Sequence, residues 1–291
     1  MRFADIGQQL RAYRLESGLR AEEIAARLGV SRAALYRYEK GEVIKLDTIR
    51  RLAELLKISP LSLLGIGVEY FARPLAFQER LRQVEEQADQ ILVVGGAYCY
   101  QVTSDAFDGA VGEAWTEAAD AAPERMQARA SADQALGLLA ARKRLHASRR
   151  PTIIAILSEP ALKRFLAEGV AAGVGVPERT RQRCLAAARQ EAEAIAAMME
   201  SVPIGVQLGI ATGAEPSGGF MVMRGRERAH VVASPFPADT APNGGLGVGS
   251  ITAADEAVAA HQRVAEVAWR DALKGAAAAQ RVRDLIKATG G

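Results

Sequence analysis

The chain has 291 residues, with 37 Lys+Arg against 34 Asp+Glu and 49% hydrophobic residues. That length is too great for one small helical module and suits two domains. No apolar run approaches the ~20 residues that cross a bilayer, and the polar N-terminus carries no signal peptide, so a cytoplasmic protein is expected.

Charge is unevenly placed. Residues 1–65 hold 12 Lys+Arg against 8 Asp+Glu, whereas the remaining chain holds 25 against 26. The positive excess therefore sits in the first fifth, as a phosphate-binding surface requires.

Gly18 to Leu56 reads as two short helices joined by a glycine-containing turn, with another helix behind. In AEEIAARLG, Ile24, Ala25 and Leu28 recur at helical spacing and form one apolar face. Gly29 ends that helix, since glycine takes positive φ without steric cost. Val30 fills the space under the turn, and Ser31 is placed to cap the next helix. In RAALYRYEKG, Leu35 and Tyr38 face inward, while Arg32, Ala33, Tyr36 and Arg37 share the other side. Such a layout lays its second helix in the major groove of DNA. There Arg32 is suited to guanine O6 and N7, Ala33 to a thymine methyl, and Tyr36 to a base or phosphate. Lys40 and Lys45 follow the helix, where phosphates run. Taken singly, each charge is explained equally well as the solvated face of a helical bundle.

The spacing of Ala25, Gly29, Val30, Ser31, Leu35, Glu39 and Gly41 resembles the XRE family of helix-turn-helix proteins, which includes phage Cro-type repressors. The resemblance runs from Ile6 to Leu64 and implies a five-helix, all-α domain over residues 1–65. It also implies that Glu39 is a buried acid paired with Arg14, pinning the first helix to the recognition helix. One departure is plain. The family opens its second helix with Thr-Gln or Ser-Gln, and this chain has Arg20-Ala21. A side-chain cap is lost there, leaving Arg20 to contact phosphate by charge alone.

The junction falls at Leu61–Pro74, where Gly65, Gly67 and Pro74 interrupt the pattern, and residues 66–90 read as a linker and connecting helix, charged and amphipathic from Pro74 to Gln90. Residues 91–291 alternate strand and helix, which predicts an α/β or α+β domain with a central sheet flanked by helices. Strands are predicted at Ile91–Gly96, Pro151–Leu157, Ile204–Ala211, Gly219–Met223 and Ala229–Ser234, with RGRER between the last two as a hairpin turn. Helices are predicted at Asp105–Ala122, Glu124–Ser148, Glu159–Gly169, Glu178–Glu200 and Ala253–Lys274. The basic cluster Arg142, Lys143, Arg144, His146, Arg149 and Arg150 suits a helix C-terminus, either as a solvated surface or as a site for an acidic partner. This part is weakly similar to the uncharacterised regulatory domain of actinobacterial WhiJ-type XRE regulators, on TIIAILSEPAL and VPIGVQLGIATGAEPSGGF. That resemblance implies a sensory or partner-binding domain.

Two glycine-rich loops, Thr212–Gly219 and Pro242–Gly249, are either ordinary turns or places where the backbone approaches a ligand. Neither carries a phosphate-binding fingerprint. Glu159, Arg224, Arg226 and His230 are the candidate polar groups of a pocket near these loops. Cys99 and Cys184 are too few and too far apart for a metal motif, and are expected as buried thiols, with a redox pair as the lesser alternative. No catalytic residues, metal or cofactor are called for.

Three functions compete. The first is a DNA-binding transcription regulator whose second domain dimerises and senses a small-molecule effector, acting on a pseudo-palindromic double-stranded operator and residing on the bacterial nucleoid when bound. The second is an antitoxin-like regulator whose second domain grips another protein. The third is an enzyme with an appended DNA-binding module.

Overall fold

The computed structural model of the protein describes residues 3–64, 67–213 and 218–289. The chain opens with five helices: α1 (Phe3–Ser17), α2 (Ala21–Leu28), α3 (Arg32–Glu39), α4 (Leu46–Leu56) and α5 (Pro60–Leu63). The local signals explain the joints. Gly29 takes φ +72° as the α2 cap, and the Gly29 and Val30 N–H groups donate to Ala26 O and Ala25 O at 3.2 and 3.0 Å. The Ser31 hydroxyl accepts from the Ala34 N–H at 3.1 Å and starts α3. Arg20 gives no side-chain cap to α2; instead the Glu23 carboxylate accepts from the Arg20 N–H at 2.8 Å. Half of a capping box thus replaces the lost cap. Ile24, Ala25, Leu28, Leu35, Ile49 and Leu52 form the buried interior of this bundle.

A helix-flanked mixed sheet follows. Its strands, among the described residues, are β1 (Val68–Phe71), β2 (Ala88–Val94), β3 (Thr152–Ser158), β4 (Val206–Ala211), β5 (Phe220–Gly225), β6 (Ala229–Ala233), β7 (Gly249–Thr252) and β8 (Leu273–Lys274). The helices are α6 (Pro74–Glu85), α7 (Asp105–Ala121), α8 (Arg125–Arg149), α9 (Glu159–Glu168), α10 (Glu178–Ser201), α11 (Asp255–Asp271) and α12 (Gly275–Thr289). The strand order is β1-β7-β6-β5-β2-β3-β4-β8, with β2, β3 and β4 mutually parallel and every other pairing antiparallel.

Both faces of the central strands are covered. Ile91, Val93, Ile153, Ala155 and Leu157 join the large core beneath α6, α7 and α10, while Val94, Ile156, Val222 and Val231 pack with Val258 and Ala265 of α11. Burial on both faces is why ILVV and TIIAIL are continuous apolar runs rather than alternating ones.

Several elements differ from the sequence expectation. Residues 66–90 contribute an edge strand, β1, paired with β7. They also supply α6, which stops at Glu85 and is buried nearly throughout, charges included. The last long helix ends at Asp271, because Leu273 and Lys274 pair with Ile210 and Gly209 of β4. A further helix, α12, then packs on α10. The RGRER segment does turn a hairpin, with Arg224 opposite Ala229.

Candidate functional site

The exposed side of α3 carries Arg32, Ala33 and Arg37, with Tyr36 half-buried beside them and Leu35 wholly buried behind. Arg32 leans over the Tyr36 ring, 5.3 Å from its centroid, and donates to the Tyr36 hydroxyl at 3.2 Å. Glu22, on α2, holds the same guanidinium at 2.7 Å. Arg37 pairs with Glu42 at 2.9 Å. Both pairs lie in solvent and are weak enough to be exchanged for phosphate or base contacts. Arg20, Ser31, Lys40 and Lys45 are also exposed. The Ser31 oxygen is occupied as the α3 cap. Behind this surface, Arg14 donates to the Glu39 carboxylate through Nε at 2.5 Å and Nη2 at 3.1 Å, tying α1 to the end of α3. Glu22 is the participant that sequence reasoning missed; it stands in the first turn of α2, at the far end from the turn, and nothing local marks it as facing Arg32.

This surface is anchored to the sheet through α1. Glu16 accepts from the Ala72 and Arg73 N–H groups at 2.7 and 2.9 Å. Gln9 donates to Glu69 at 3.1 Å, and Glu69 is held bidentately by Arg80 at 2.7 and 2.9 Å, all buried. A line of rings runs beside these bonds. Tyr13 stacks on Phe71 at 5.3 Å between centroids, Phe71 meets Phe77 edge-on at 6.4 Å, and Phe77 meets Phe236 at 5.9 Å. Gly249 makes room for this line, since a Cβ there would stand 2.5 Å from the Phe77 ring.

Phe236 is a wall of a cavity of about 430 Å³, at the strand ends of β2, β5 and β6 and beneath α9. That volume falls within the range of small-molecule sites. Its polar border is tightly connected. Arg142 donates to Glu85 at 2.8 and 2.6 Å and to Gln78 at 2.6 Å, and Gln101 donates to Glu85 at 2.6 Å. The Tyr98 hydroxyl donates to Asp239, which also accepts from the Ala171 N–H at 2.8 Å. Burial, followed by the adjacent Asp239 charge, raises the Tyr98 phenol well above its ordinary range.

Of the sequence-predicted pocket residues, none borders this cavity. Glu159 is turned to α12, where Arg281 grips it at 2.8 and 2.6 Å, with Lys163 at 2.8 Å. Arg224 and His230 lie at the hairpin end of β5 and β6, away from the cavity end. Arg226, in the turn, is 90% exposed and 3.8 Å from Asp89. His230 borders a much smaller crevice with Glu69 and Arg80. Of the two glycine-rich loops, the first reaches the cavity through Gly219, and its residues 214–217 lie outside those described.

The basic cluster of α8 is divided: Arg144, Arg149 and Arg150 are exposed, and three of its members are paired. Arg142 is buried on Glu85, Lys143 pairs with Asp108 at 2.5 Å and Arg149 with Asp89 at 3.2 Å. Both cysteines are buried and free, and burial pushes the Cys99 thiol up to about 12. No helix among the described residues is long and apolar enough to cross a membrane.

Residues 5–63 match a family model described as a helix-turn-helix domain, so the chain carries that module at its N-terminal end. The comparison with curated proteins finds no match. Among solved structures, TrmBL2, an archaeal chromatin protein whose structure is described as showing a novel mode of DNA binding, is similar at a TM-score of 0.34. Identity is 11%, over 78% of this chain and 61% of that one, so the chain spans 61% of that protein's length.

Proposed function

We propose that the chain is a DNA-binding transcription regulator of XRE type whose sheet-bearing part answers a small-molecule effector. The observation that carries it is the helix-turn-helix itself, with Arg32, Ala33, Tyr36 and Arg37 on the open side of α3. Arg32 and Ala33 occupy the first turn of α3, the part of a recognition helix that meets base edges. Arg20, Lys40 and Lys45 supply phosphate contacts, and Arg14 with Glu39 is structural.

One such module touches little DNA, so two copies acting on a pseudo-palindrome fit the function better than one. Val264 and Val267 on α11, 45% and 48% exposed, offer an apolar stripe for a second copy. An effector in the cavity presses on Phe236, and the ring line Phe77–Phe71–Tyr13 connects that wall to α1. Occupancy alters DNA binding only if the ligand favours one arrangement of α1 over another.

The test is selection of genomic fragments by the purified full chain, followed by footprinting. Two protected half-sites with centres about one helical turn, ~34 Å, apart are expected. Retention of fragments without any shared sequence would contradict a specific regulator.

A further inference from the structure

The cavity beneath α9 has a wall chemistry that selects its occupant. Its body is apolar and ring-rich, formed by Val93, Met221, Val232, Tyr98, Phe165 and Phe236. Ring walls of this kind favour an aromatic guest, through edge and offset contacts added to area burial.

Apart from the buried Tyr100 hydroxyl, which makes no hydrogen bond among the described residues, the buried charged and amide side chains at its border are already committed. Arg142 is shared between Glu85 and Gln78, Gln101 is given to Glu85, and Asp239 is held by Tyr98 and the Ala171 N–H. An anion entering here would lose its hydration and find Arg142 already neutralised by Glu85, while a cation would find only the Asp239 carboxylate, whose two oxygens already accept from Tyr98 and Ala171. The mouth does not select a charge either. Arg164 and Glu168 stand one helical turn apart on α9, both exposed and of opposite sign.

We infer that the cavity binds an uncharged, largely apolar molecule carrying an aromatic ring. This rests on the effector reading and assigns the chemical class of that effector. Neutrality follows from the spent polar border, and aromaticity from the walls. The molecule enters beside α9, where the lining residues Ala161, Arg164, Glu168 and Ala172 reach solvent.

The test uses N-phenyl-1-naphthylamine, a neutral probe that brightens in apolar surroundings, titrated into the full chain. Its sulfonated relative, 1-anilinonaphthalene-8-sulfonate, offers a similar aromatic body with one negative charge. Saturable uptake of the neutral probe is expected, with the sulfonate bound at least ~10-fold more weakly. Ala161→Trp and Ala172→Trp each place an indole at the mouth, at positions half-exposed and exposed, where folding is little disturbed. At least one should weaken uptake by ~10-fold or more, whereas Ala260→Trp on the exposed side of α11 should leave it unchanged. Circular dichroism confirms that each variant is folded.

No saturable uptake by the full chain would overturn the assignment. So would uptake that both mouth variants leave unaltered, or a preference for the sulfonate. The readout involves no DNA. Its failure therefore leaves recognition by α3 standing, and a failure of DNA recognition leaves the cavity assignment standing.

Discussion

Single residues in this chain are held mainly by charge pairing, and their degree of burial decides what each pair does. Arg32 and Glu22 are both more than half exposed, so their contact is a resting place for a side chain that must remain available. Glu159 is different. Its side chain is 8% exposed, and Arg281, opposed by burial and helped by Lys163, holds its carboxyl down from 4.5 to about 2. A depressed folded value means that the contribution is fully present above about 4.5 and is lost as pH falls through about 2. Glu159→Gln should therefore be less stable than the parent chain in urea at neutral pH. The gap should narrow between those two values and close at the acid end. A gap that stays constant with pH would remove Arg281 as its cause.

Among the elements, α6 departs most from its appearance in the sequence. Its sequence reads as a charged, amphipathic connecting helix, which implies one polar face in water, yet Gln78, Glu79, Arg80, Gln83 and Glu85 are all buried. Their partners include residues far off in the chain: Arg142 is 57 residues from Glu85, and Gln8, whose carbonyl accepts from Gln83, is 75 away. Helical periodicity reports one face of one helix and says nothing of a partner that arrives from elsewhere. Glu85→Ala would strand the Arg142 guanidinium in the core, and breaking such a pair typically costs ~3–5 kcal/mol. Urea unfolding of the full chain measures this. A loss below ~1 kcal/mol would show that Gln78 and the Tyr100 ring suffice to hold Arg142.

Legibility followed the same division between local and distant. The helix-turn-helix was readable because Gly29, Ser31 and the apolar spacing of Ile24, Leu28 and Leu35 act within a few residues of one another. The central strands β2 and β3 were readable as continuous apolar runs. The short β1, β7 and β8 were not, since each owes its form to a strand brought alongside by the fold. A pocket was expected only near the two glycine-rich loops and strand ends, and Gly219 of the first loop does line the cavity. Its polar border joins Tyr98 to Asp239, 141 residues later, a pairing with no local signature. Glu159 was chosen for following a strand, but α12, which received no sequence assignment, supplies the arginine that occupies it.

At the scale of the whole molecule, the DNA-facing helices and the sheet are joined rather than strung together. Glu16, Gln9 and Tyr13 fasten α1 to β1 and α6, and the ring line continues to Phe236 at the cavity wall. That continuity gives a ligand in the cavity a packed route to the surface proposed to meet DNA. The proposed regulation depends on that surface meeting DNA through α3. The direct measurement is the affinity of the full chain for its selected fragment and for single-base variants of it, repeated with Arg32→Ala and Lys45→Ala at several salt concentrations. Arg32→Ala should cost ~1–3 kcal/mol of discrimination at one base position, while Lys45→Ala should weaken all sequences alike and lower the salt slope by about one. An Arg32→Ala chain that keeps both the preferred site and its affinity would contradict recognition by this face of α3.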